Sequence, residues 1–288
     1  MYRVAIIGQS LGAQVAALAC KASGFQDIGR FYGEQTHDLL PTIHSLGANA
    51  SRLLRALAPE ALEQAGFQPD RYQVRFAKSA YLLAELPLGE FYQQRYGAPL
   101  INFAAPALAA YLEEQLGMPI AAATALHDIE SNHDLTVLTT PESPPTQQHE
   151  DASFLIYHAR LPDHPLRKAN VLWRGDGQYV EQLSDQTDVH FRFVTRADRP
   201  FEPALWHESL QPALAAKEAV GRVSTQNFTA SDRLFAGRVA LLHSAVAPPL
   251  AARVDASNTA LEYAWVLSRM MENYEEDIGD GLAAFERF

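Results

Sequence analysis

The opening stretch, residues 1–25, constrains the fold of this chain more than any other part of its sequence. Residues 4–7 are apolar, a turn with two glycines spans residues 8–12, and apolar residues then recur at helical spacing. A strand–turn–helix unit of this kind directs backbone N–H groups and the helix dipole at one point, where a dinucleotide pyrophosphate can bind. The opening therefore predicts an α/β fold built around a parallel sheet.

The turn departs at one position from the G-x-G-x-x-G/A pattern of dinucleotide sites. Gly8 supplies the first glycine, Ser10 stands where the second is expected, and Ala13 is an allowed third residue. Gly12 adds a further small residue beside it. These four residues are therefore candidate cofactor-binding residues in a site with one part changed.

The carboxylate expected for the ribose hydroxyls is displaced along the chain. A strand is predicted over residues 27–32, and an Asp or Glu should stand at its end. Tyr32 and Gly33 occupy that place here, and Glu34 follows them. Glu34 is the candidate ribose ligand if the strand is one residue longer than usual, and a solvated loop carboxylate otherwise.

Composition excludes several classes of function. A chain of 288 residues can form one large domain or two coupled ones. The net charge of −11 argues against nucleic acid or an anionic membrane as the main partner. A single cysteine and ten histidines without metal spacing predict no disulfide framework and no metal site. Without a leader-like start or an apolar run near ~20 residues, the expected localisation is cytoplasmic.

The order of segments over nearly the whole chain resembles the FAD-dependent aromatic hydroxylases, which are single-component flavin monooxygenases with the p-hydroxybenzoate hydroxylase fold. Besides the opening, the resemblance is carried by residues 46–50, 66–69 with 83–88, 96–99 before a helix at Pro106, and 237–242 before a long helix at 251–274. It implies a Rossmann-like FAD/NAD(P)-binding domain with an inserted, shortened antiparallel sheet domain that covers the substrate pocket.

The resemblance also implies a division of the chain. Residues 1–70, 100–165 and 232–288 are expected to form the discontinuous FAD-binding-like domain, and residues 71–99 and 166–231 the shortened substrate domain. Within the latter, four aromatic residues alternate along predicted strands and either form the core of the sheet or line an apolar ligand pocket: Trp173, Tyr179, Phe191 and Phe193.

Two motifs that hold FAD in that family are altered here. The arginine expected at the start of the Pro106 helix is Ala105, which has no guanidinium to bind phosphate or flavin oxygens. The strand that should end in G-A-D-G is predicted at residues 153–156. Residues 157–160, with Ala159 in place of the carboxylate, then replace the motif itself.

A third family motif, G-D followed by A-A-H-P and G-Q-G, is altered as well. His243 and Ser244 replace the Gly-Asp pair that serves the ribityl chain, so both are candidate residues of the cleft. Pro248 and Asn258 remain as candidate cofactor contacts. If each lost contact contributes about 1–3 kcal/mol, the combined loss amounts to several decades of FAD affinity.

No catalytic residue can be assigned from these patterns. His243 and Ser244 are adjacent on a predicted strand, so their side chains point to opposite faces and cannot pair. The letters G-Q-S-L-G at residues 8–12 match a nucleophile elbow, but a hydrolase places that strand centrally and not at the start of the chain.

Three functions follow. In the leading interpretation FAD binding is lost or weakened. The cleft among Gly8, Ala105, His243 and Asn258 then binds a small aromatic or polyketide-like molecule, and conversion of that molecule without a cofactor stays open. In the first alternative the protein is a working FAD-dependent hydroxylase that uses NAD(P)H. In the second it is a non-catalytic partner subunit that pairs with an active homologue through the helix at 251–274. For the assembly, a homodimer and pairing with an active homologue both stay open.

Overall fold

The computed structural model describes residues 2–32, 42–122, 126–139, 153–199, 201–224, 234–242, 253–274 and 276–287. The strands are β1 Arg3–Ile7, β2 Asp27–Tyr32, β3 Ile43–Leu46, β4 Arg71–Phe76, β5 Leu82–Pro87, β6 Ile101–Ala104, β7 Ala121–Ala122, β8 Leu135–Leu138, β9 Ser153–Leu161, β10 Ala169–Arg174, β11 Gln178–Ser184, β12 Val189–Arg196, β13 Glu218–Ser224, β14 Phe235–Ala236 and β15 Val239–Leu241. The helices are α1 Leu11–Ala22, α2 Ala48–Leu57, α3 Pro59–Ala65, α4 Glu90–Tyr96, α5 Ala105–Leu116, α6 Leu126–Asn132, α7 Gln211–Ala215, α8 Arg253–Asn273 and α9 Ile278–Glu286.

A six-stranded sheet in the order β14-β15-β8-β1-β2-β7 forms the first layer, and all its neighbouring strands are parallel except β14 and β15. Val4 and Ile6 of β1 contact the core that α1, α5 and α8 build on one face. Ala5 and Ile7 contact Ile129 of α6 on the other face. Burial on both faces explains why β1 is uniformly apolar.

A seven-stranded sheet in the order β13-β9-β12-β11-β10-β4-β5 forms the second layer. Its neighbouring strands are antiparallel except for β10 and β4. Trp173, Phe191 and Phe193 are completely buried on one face, against Trp206 and Leu210. Three of the four aromatic residues predicted on this sheet are therefore core, whereas Tyr179 alternates onto the opposite face. The α/β fold class and the antiparallel second sheet are confirmed.

A buried polar network connects the small antiparallel sheet of β3 and β6 to the seven-stranded sheet. Asn102 Nδ2 of β6 donates to Asn170 Oδ1 of β10 at 2.7 Å and to the Ser184 carbonyl at 2.8 Å. Asn170 Nδ2 donates in turn to Ser45 Oγ at 3.3 Å. Because buried polar groups must be paired, this network fixes the position of β3 under the larger sheet.

Several sequence predictions about local structure were wrong. The strand predicted at residues 153–156 is part of β9, which pairs with β12 and β13 in the larger sheet instead of joining the nucleotide-binding sheet. The strand that actually lies beside β1 is β8. Apolar spacing in the sequence also predicts a strand over residues 120–129 and a helix from Ile43. In the described residues, the first range contains the short β7 and the start of α6, and β3 begins at Ile43.

The long helix α8 is used inside the chain. Its residues Leu261, Ala264, Leu267 and Met271 are buried in the core shared with α1, α2 and α9. None of residues 257–271 is fully exposed, which leaves little surface for the partner role predicted for this helix. None of the described helices has both the length and the apolar character needed to cross a bilayer.

An ion pair between a buried arginine of β2 and a partly exposed glutamate of α5 holds the helix against the strand. The Arg30 side chain is only 3% exposed, and its Nη2 lies 2.5 Å from Glu113 Oε1. Gln14 of α1 donates to the same carboxylate oxygen at 2.8 Å. The hydrogen bond from Arg30 is the main reason why the pKa of Glu113 is lowered.

We predict that Glu113→Ala lowers the free energy of unfolding by about 2–4 kcal/mol, because it leaves the buried Arg30 without a carboxylate. The folded chain protonates Glu113 less readily than the unfolded chain does. The pair therefore makes its full contribution to the free energy of unfolding above the ordinary glutamate pKa of about 4.3. This contribution is lost as the pH falls from there through the lowered pKa of the folded chain. Urea unfolding at neutral and acidic pH measures this, with exposed Glu114→Ala as the matched control. Equal effects of the two variants at neutral pH would refute the structural role.

Candidate ligand-binding site

A cavity of about 840 Å³ lies between the seven-stranded sheet and the helices that pack on the nucleotide-binding sheet. The β3–α2 turn, α4, the start of α8 and one face of β4, β10 and β11 form its walls. The side chains on the walls include four tyrosines, three arginines and two carboxylates: Tyr72, Tyr92, Tyr96, Tyr179, Arg52, Arg95, Arg174, Glu181 and Glu262.

Strand alternation sets which side chains of the larger sheet reach this cavity. In β11, Val180 points into the aromatic core of the sheet, so Tyr179 and Glu181 point to the cavity side. In β10, Trp173 is buried in the same core, so Arg174 at the end of the strand faces the cavity. One face of the sheet thus builds its core and the other face builds the site.

The three arginines give the cavity a positive rim. Arg52 Nη2 donates to Asn49 Oδ1 at 2.5 Å, and the Arg95 guanidinium lies 5.7 Å from the centre of the Tyr96 ring. Among the described residues, neither of these arginines nor Arg174 forms an ion pair with a carboxylate. In a chain of net charge −11, unpaired guanidinium groups around one cavity favour an anionic ligand.

Asn258 lies in the cavity wall, but its amide is already engaged. Its Oδ1 accepts from the Gly47 N–H at 2.7 Å, and its Nδ2 donates to the Ser45 carbonyl at 3.0 Å. The side chain therefore connects the start of α8 to the β3–α2 turn. The structure thus gives this predicted cofactor contact a positioning role in the wall.

A buried histidine–serine pair makes a second connection between the same elements. His44 Nδ1 of β3 lies 2.7 Å from Ser257 Oγ of α8. Burial lowers the pKa of His44 to about 4, so the imidazole is neutral at pH 7. The pair escaped the sequence analysis because its residues are far apart in the chain and neither belongs to a motif.

The residues of the glycine turn all have internal roles. Gly8 has a left-handed φ of 130°, and its N–H donates to the Phe31 carbonyl at 2.8 Å. Ser10 caps α1, since its Oγ accepts from the Ala13 N–H at 3.3 Å. A Cβ on Gly12 would lie 3.2 Å from Ala260 Cβ of α8, so the glycine permits the close approach of two helices.

The cleft predicted from sequence shares one residue with this cavity. Asn258 lines the cavity, whereas Gly8 and Ala105 are not among its lining residues. Ala105 begins α5 and donates its N–H to the Thr42 carbonyl at 2.9 Å. The predicted residues Glu34, His243, Ser244 and Pro248 lie outside the described residues.

The sequence predicts that residues 157–160 stand in place of a nucleotide-binding motif. This prediction is wrong, because these residues belong to β9 of the seven-stranded sheet. Ala159 is buried in the core of the seven-stranded sheet, and His158 Nε2 lies 2.7 Å from Thr42 Oγ1. Arg160 pairs with Asp188. The family motif is instead expected after β8, where Thr139 Oγ1 donates to the Ile7 carbonyl at 3.0 Å.

The parallel sheet with its glycine turn and the covering antiparallel sheet define the class: the chain has the fold of FAD-dependent monooxygenases. HpxO of Klebsiella pneumoniae, solved with FAD and uric acid, superposes with a TM-score of 0.78 at 17% identity, over 99% of this chain and 83% of that one. PqsL of Pseudomonas aeruginosa, solved with 2-aminobenzoylacetate, gives 0.75 at 14% identity, over 99% and 91%. 2-Methyl-3-hydroxypyridine-5-carboxylic acid oxygenase gives 0.75 at 18% identity, over 100% and 86%.

Sequence comparison gives a shorter match. The chain is 29% identical to 6-hydroxynicotinate 3-monooxygenase of Pseudomonas fluorescens over 107 residues, which is 35% of this chain and 26% of that enzyme. The match therefore spans about a quarter of the enzyme's length. No protein-family model matches the chain.

We predict that Asn258→Ala lowers the free energy of unfolding by about 1–3 kcal/mol, because the Gly47 N–H and the Ser45 carbonyl lose their partner. Thermal and urea unfolding measure the loss. Asn273→Ala, at the exposed end of the same helix, is the matched control. If Asn258→Ala is as stable as the control, Asn258 does not hold the cavity wall.

Proposed function

We propose that this protein binds a small anionic aromatic molecule in the cavity and that its FAD binding is lost or weakened relative to the monooxygenases whose fold it shares. The observation that carries the proposal is the cavity itself, with four tyrosines on its walls and three arginines that outnumber its two carboxylates and form no ion pair with a described carboxylate. Tyrosine rings offer flat apolar contact surfaces, and arginines recognise carboxylates through paired hydrogen bonds.

The chemistry of the glycine turn supports weakened FAD binding. A pyrophosphate at a helix N-terminus needs free N–H groups and benefits from a nearby cation. Here the Ser10 hydroxyl accepts from the Ala13 N–H, and residues 8–12 carry no charge. Ala105 at the start of α5 supplies no guanidinium. These residues keep the strand–turn–helix shape of a nucleotide site but lack the cationic hydrogen-bond donors that would bind a pyrophosphate.

The ligands of proteins with the same fold support the ligand class. PqsL was solved with 2-aminobenzoylacetate, and another neighbour is named for a pyridine carboxylic acid. Both are small aromatic carboxylates by name. The same class suits a cavity with tyrosine walls and an arginine rim.

An active FAD- and NAD(P)H-dependent aromatic hydroxylase is the second candidate function. It is favoured by the left-handed Gly8 at a strand–helix turn and by the FAD present in the HpxO structure. FAD, if bound, would supply the oxygen-activating redox chemistry. In that case the turn at Gly8 would contact the cofactor, and Tyr179 and Arg174 would orient the substrate.

The ligand class is tested with 2-aminobenzoate and its neutral counterpart 2-aminobenzamide, by fluorescence titration. We expect 2-aminobenzoate to bind more tightly, and Arg174→Gln to weaken its binding roughly three- to tenfold without changing that of 2-aminobenzamide. Arg199→Gln, a half-exposed arginine outside the cavity, is the control. If neither compound binds, the proposed function fails. If 2-aminobenzoate and 2-aminobenzamide bind equally well and Arg174→Gln changes neither affinity, the cavity binds aromatic molecules, and only the proposed preference for anions is contradicted.

We also predict that Ser10→Gly alone does not restore tight FAD binding. The variant removes the side-chain cap of α1 at a cost of only a few tenths of a kcal/mol, and the Ala13 N–H still donates to the carbonyl of residue 10 at 3.0 Å. It also adds no cation. Titration of the variant with FAD, followed by flavin fluorescence, measures the effect. Low-micromolar binding by Ser10→Gly would show that the second glycine was the only contact that mattered.

A further inference from the structure

The segment 76–96 carries an apolar surface that ligand binding does not explain. Of the ten large hydrophobic side chains that are exposed in the described parts, seven lie in this segment. Because β4 pairs with β5 and α4 follows directly, the seven lie together at one end of the larger sheet. We call this surface the hairpin patch: Phe76, Tyr81, Leu82, Leu83, Leu86, Phe91 and Tyr96. Apolar patches of this kind on soluble proteins mark interaction sites.

The outer edge of the sheet runs through the hairpin patch. β5 is the last strand of the seven-stranded sheet, only β4 pairs with it in the described residues, and all six of its residues are exposed. The Leu88 N–H donates to the Asp70 carbonyl, so alternation turns the backbone N–H and C=O of Glu85 away from β4. An open apolar edge of this kind is a template for pairing with another strand.

The helix α4 also lacks cover. It has seven residues and none of them is buried, although Phe91 and Tyr96 are large and apolar. A helix this short is unstable unless tertiary contacts support it. A partner that covers the β5 edge and α4 together would supply those contacts.

We propose that the hairpin patch is the interface of a homodimer in which β5 of one copy pairs antiparallel with β5 of the second. A two-fold axis places the same surface against itself, so apolar side chains meet apolar side chains without a second complementary patch. The hairpin patch offers more exposed apolar surface than α8, whose residues Leu261, Ala264 and Leu267 are packed inside the chain.

The charges at the two ends of β5 support a second copy as the occupant. Exposed Lys78 lies in the turn before β5, and exposed Glu90 opens α4 after it. Antiparallel pairing brings the turn of each copy to the α4 end of the other, so Lys78 and Glu90 attract twice across the axis. A membrane surface rich in anionic lipid fits less well, because the chain has a net charge of −11.

The interface would also shape the cavity. Tyr96 belongs both to the hairpin patch and to the cavity wall, and Arg95 beside it lines the cavity rim. A second copy that holds α4 in place therefore holds one wall of the ligand site of each protomer. The proposal does not depend on whether FAD binds.

The first experiment is sedimentation equilibrium on the full chain, across micromolar concentrations. We expect a species of twice the 31.8 kDa chain mass. Lys78→Glu should raise the dimer dissociation constant about tenfold, because two attractions become two repulsions. The double variant Lys78→Glu with Glu90→Lys should return it to near the wild-type value. Arg238→Glu, an exposed cation in the turn between β14 and β15 of the six-stranded sheet, is the matched control.

The second experiment places a charge in the apolar surface. Leu86→Lys should give a monomer with an unchanged melting profile by circular dichroism, and Leu205→Lys, an exposed leucine outside the patch, should remain a dimer. A monomer at all concentrations overturns the proposal. A dimer that Lys78→Glu and Leu86→Lys leave intact also overturns it, since its interface lies elsewhere. Binding of the monomer to phosphatidylcholine vesicles would assign the patch to lipid instead.

Discussion

The close contact of α1 with α8 at Gly12 and Ala260 is the constraint on which the rest of the structure depends. A Cβ at position 12 would lie 3.2 Å from Ala260 Cβ, so even alanine there would require the two helices to shift by a few tenths of an ångström. These helices carry much of the core on one face of the parallel sheet, and α8 also carries Asn258 and Ser257 to the cavity wall. Helix packing is thus sufficient to favour glycine at a position that also resembles part of a nucleotide fingerprint.

This constraint gives a physical reason why the fold would persist under the proposed weakening of FAD binding. Gly8, Ser10 and Ala13 are engaged with Phe31, the helix terminus and the core. Their hydrogen bonds and buried contacts form whether or not a dinucleotide is present. The described contact of Ala105, by contrast, is a backbone hydrogen bond to Thr42, which does not depend on the side chain at this position. Under the proposed weakening of FAD binding, the fold therefore needs no arginine at position 105.

The sequence predicted the parts of the fold that are long, periodic and local. The opening β1–α1 unit, the β10–β11 pair and α5 follow from apolar spacing and turn residues, and the fold class follows from their order. The exchange of β8 for β9 beside β1 could not be predicted, because the apolar character of both strands is similar and only long-range pairing separates them. Short elements such as β3 and α6 were missed because four to seven residues are too few to show a clear helical or strand period of apolar residues.

The candidate site was harder to predict than the fold. Asn258 was identified through a family pattern, but its bonds to Ser45 and Gly47 join segments about two hundred residues apart. The arginines of the rim lie on three elements, α2, α4 and β10, and belong to no motif. Their grouping depends on strand alternation and on the buried Asn102–Asn170 contact that sets the larger sheet over β3. Convergence of this kind exists only in the folded chain.

The visible spectrum of the purified protein, followed by a titration with FAD, tests the central claim most directly. A chain that keeps the monooxygenase fold through internal contacts is expected to purify colourless and to bind FAD weakly, with little change in flavin fluorescence at micromolar concentrations. A yellow protein with bound flavin bands, or FAD binding in the low micromolar range or tighter, would contradict the account. It would show that the altered turn and Ala105 still leave a complete cofactor site.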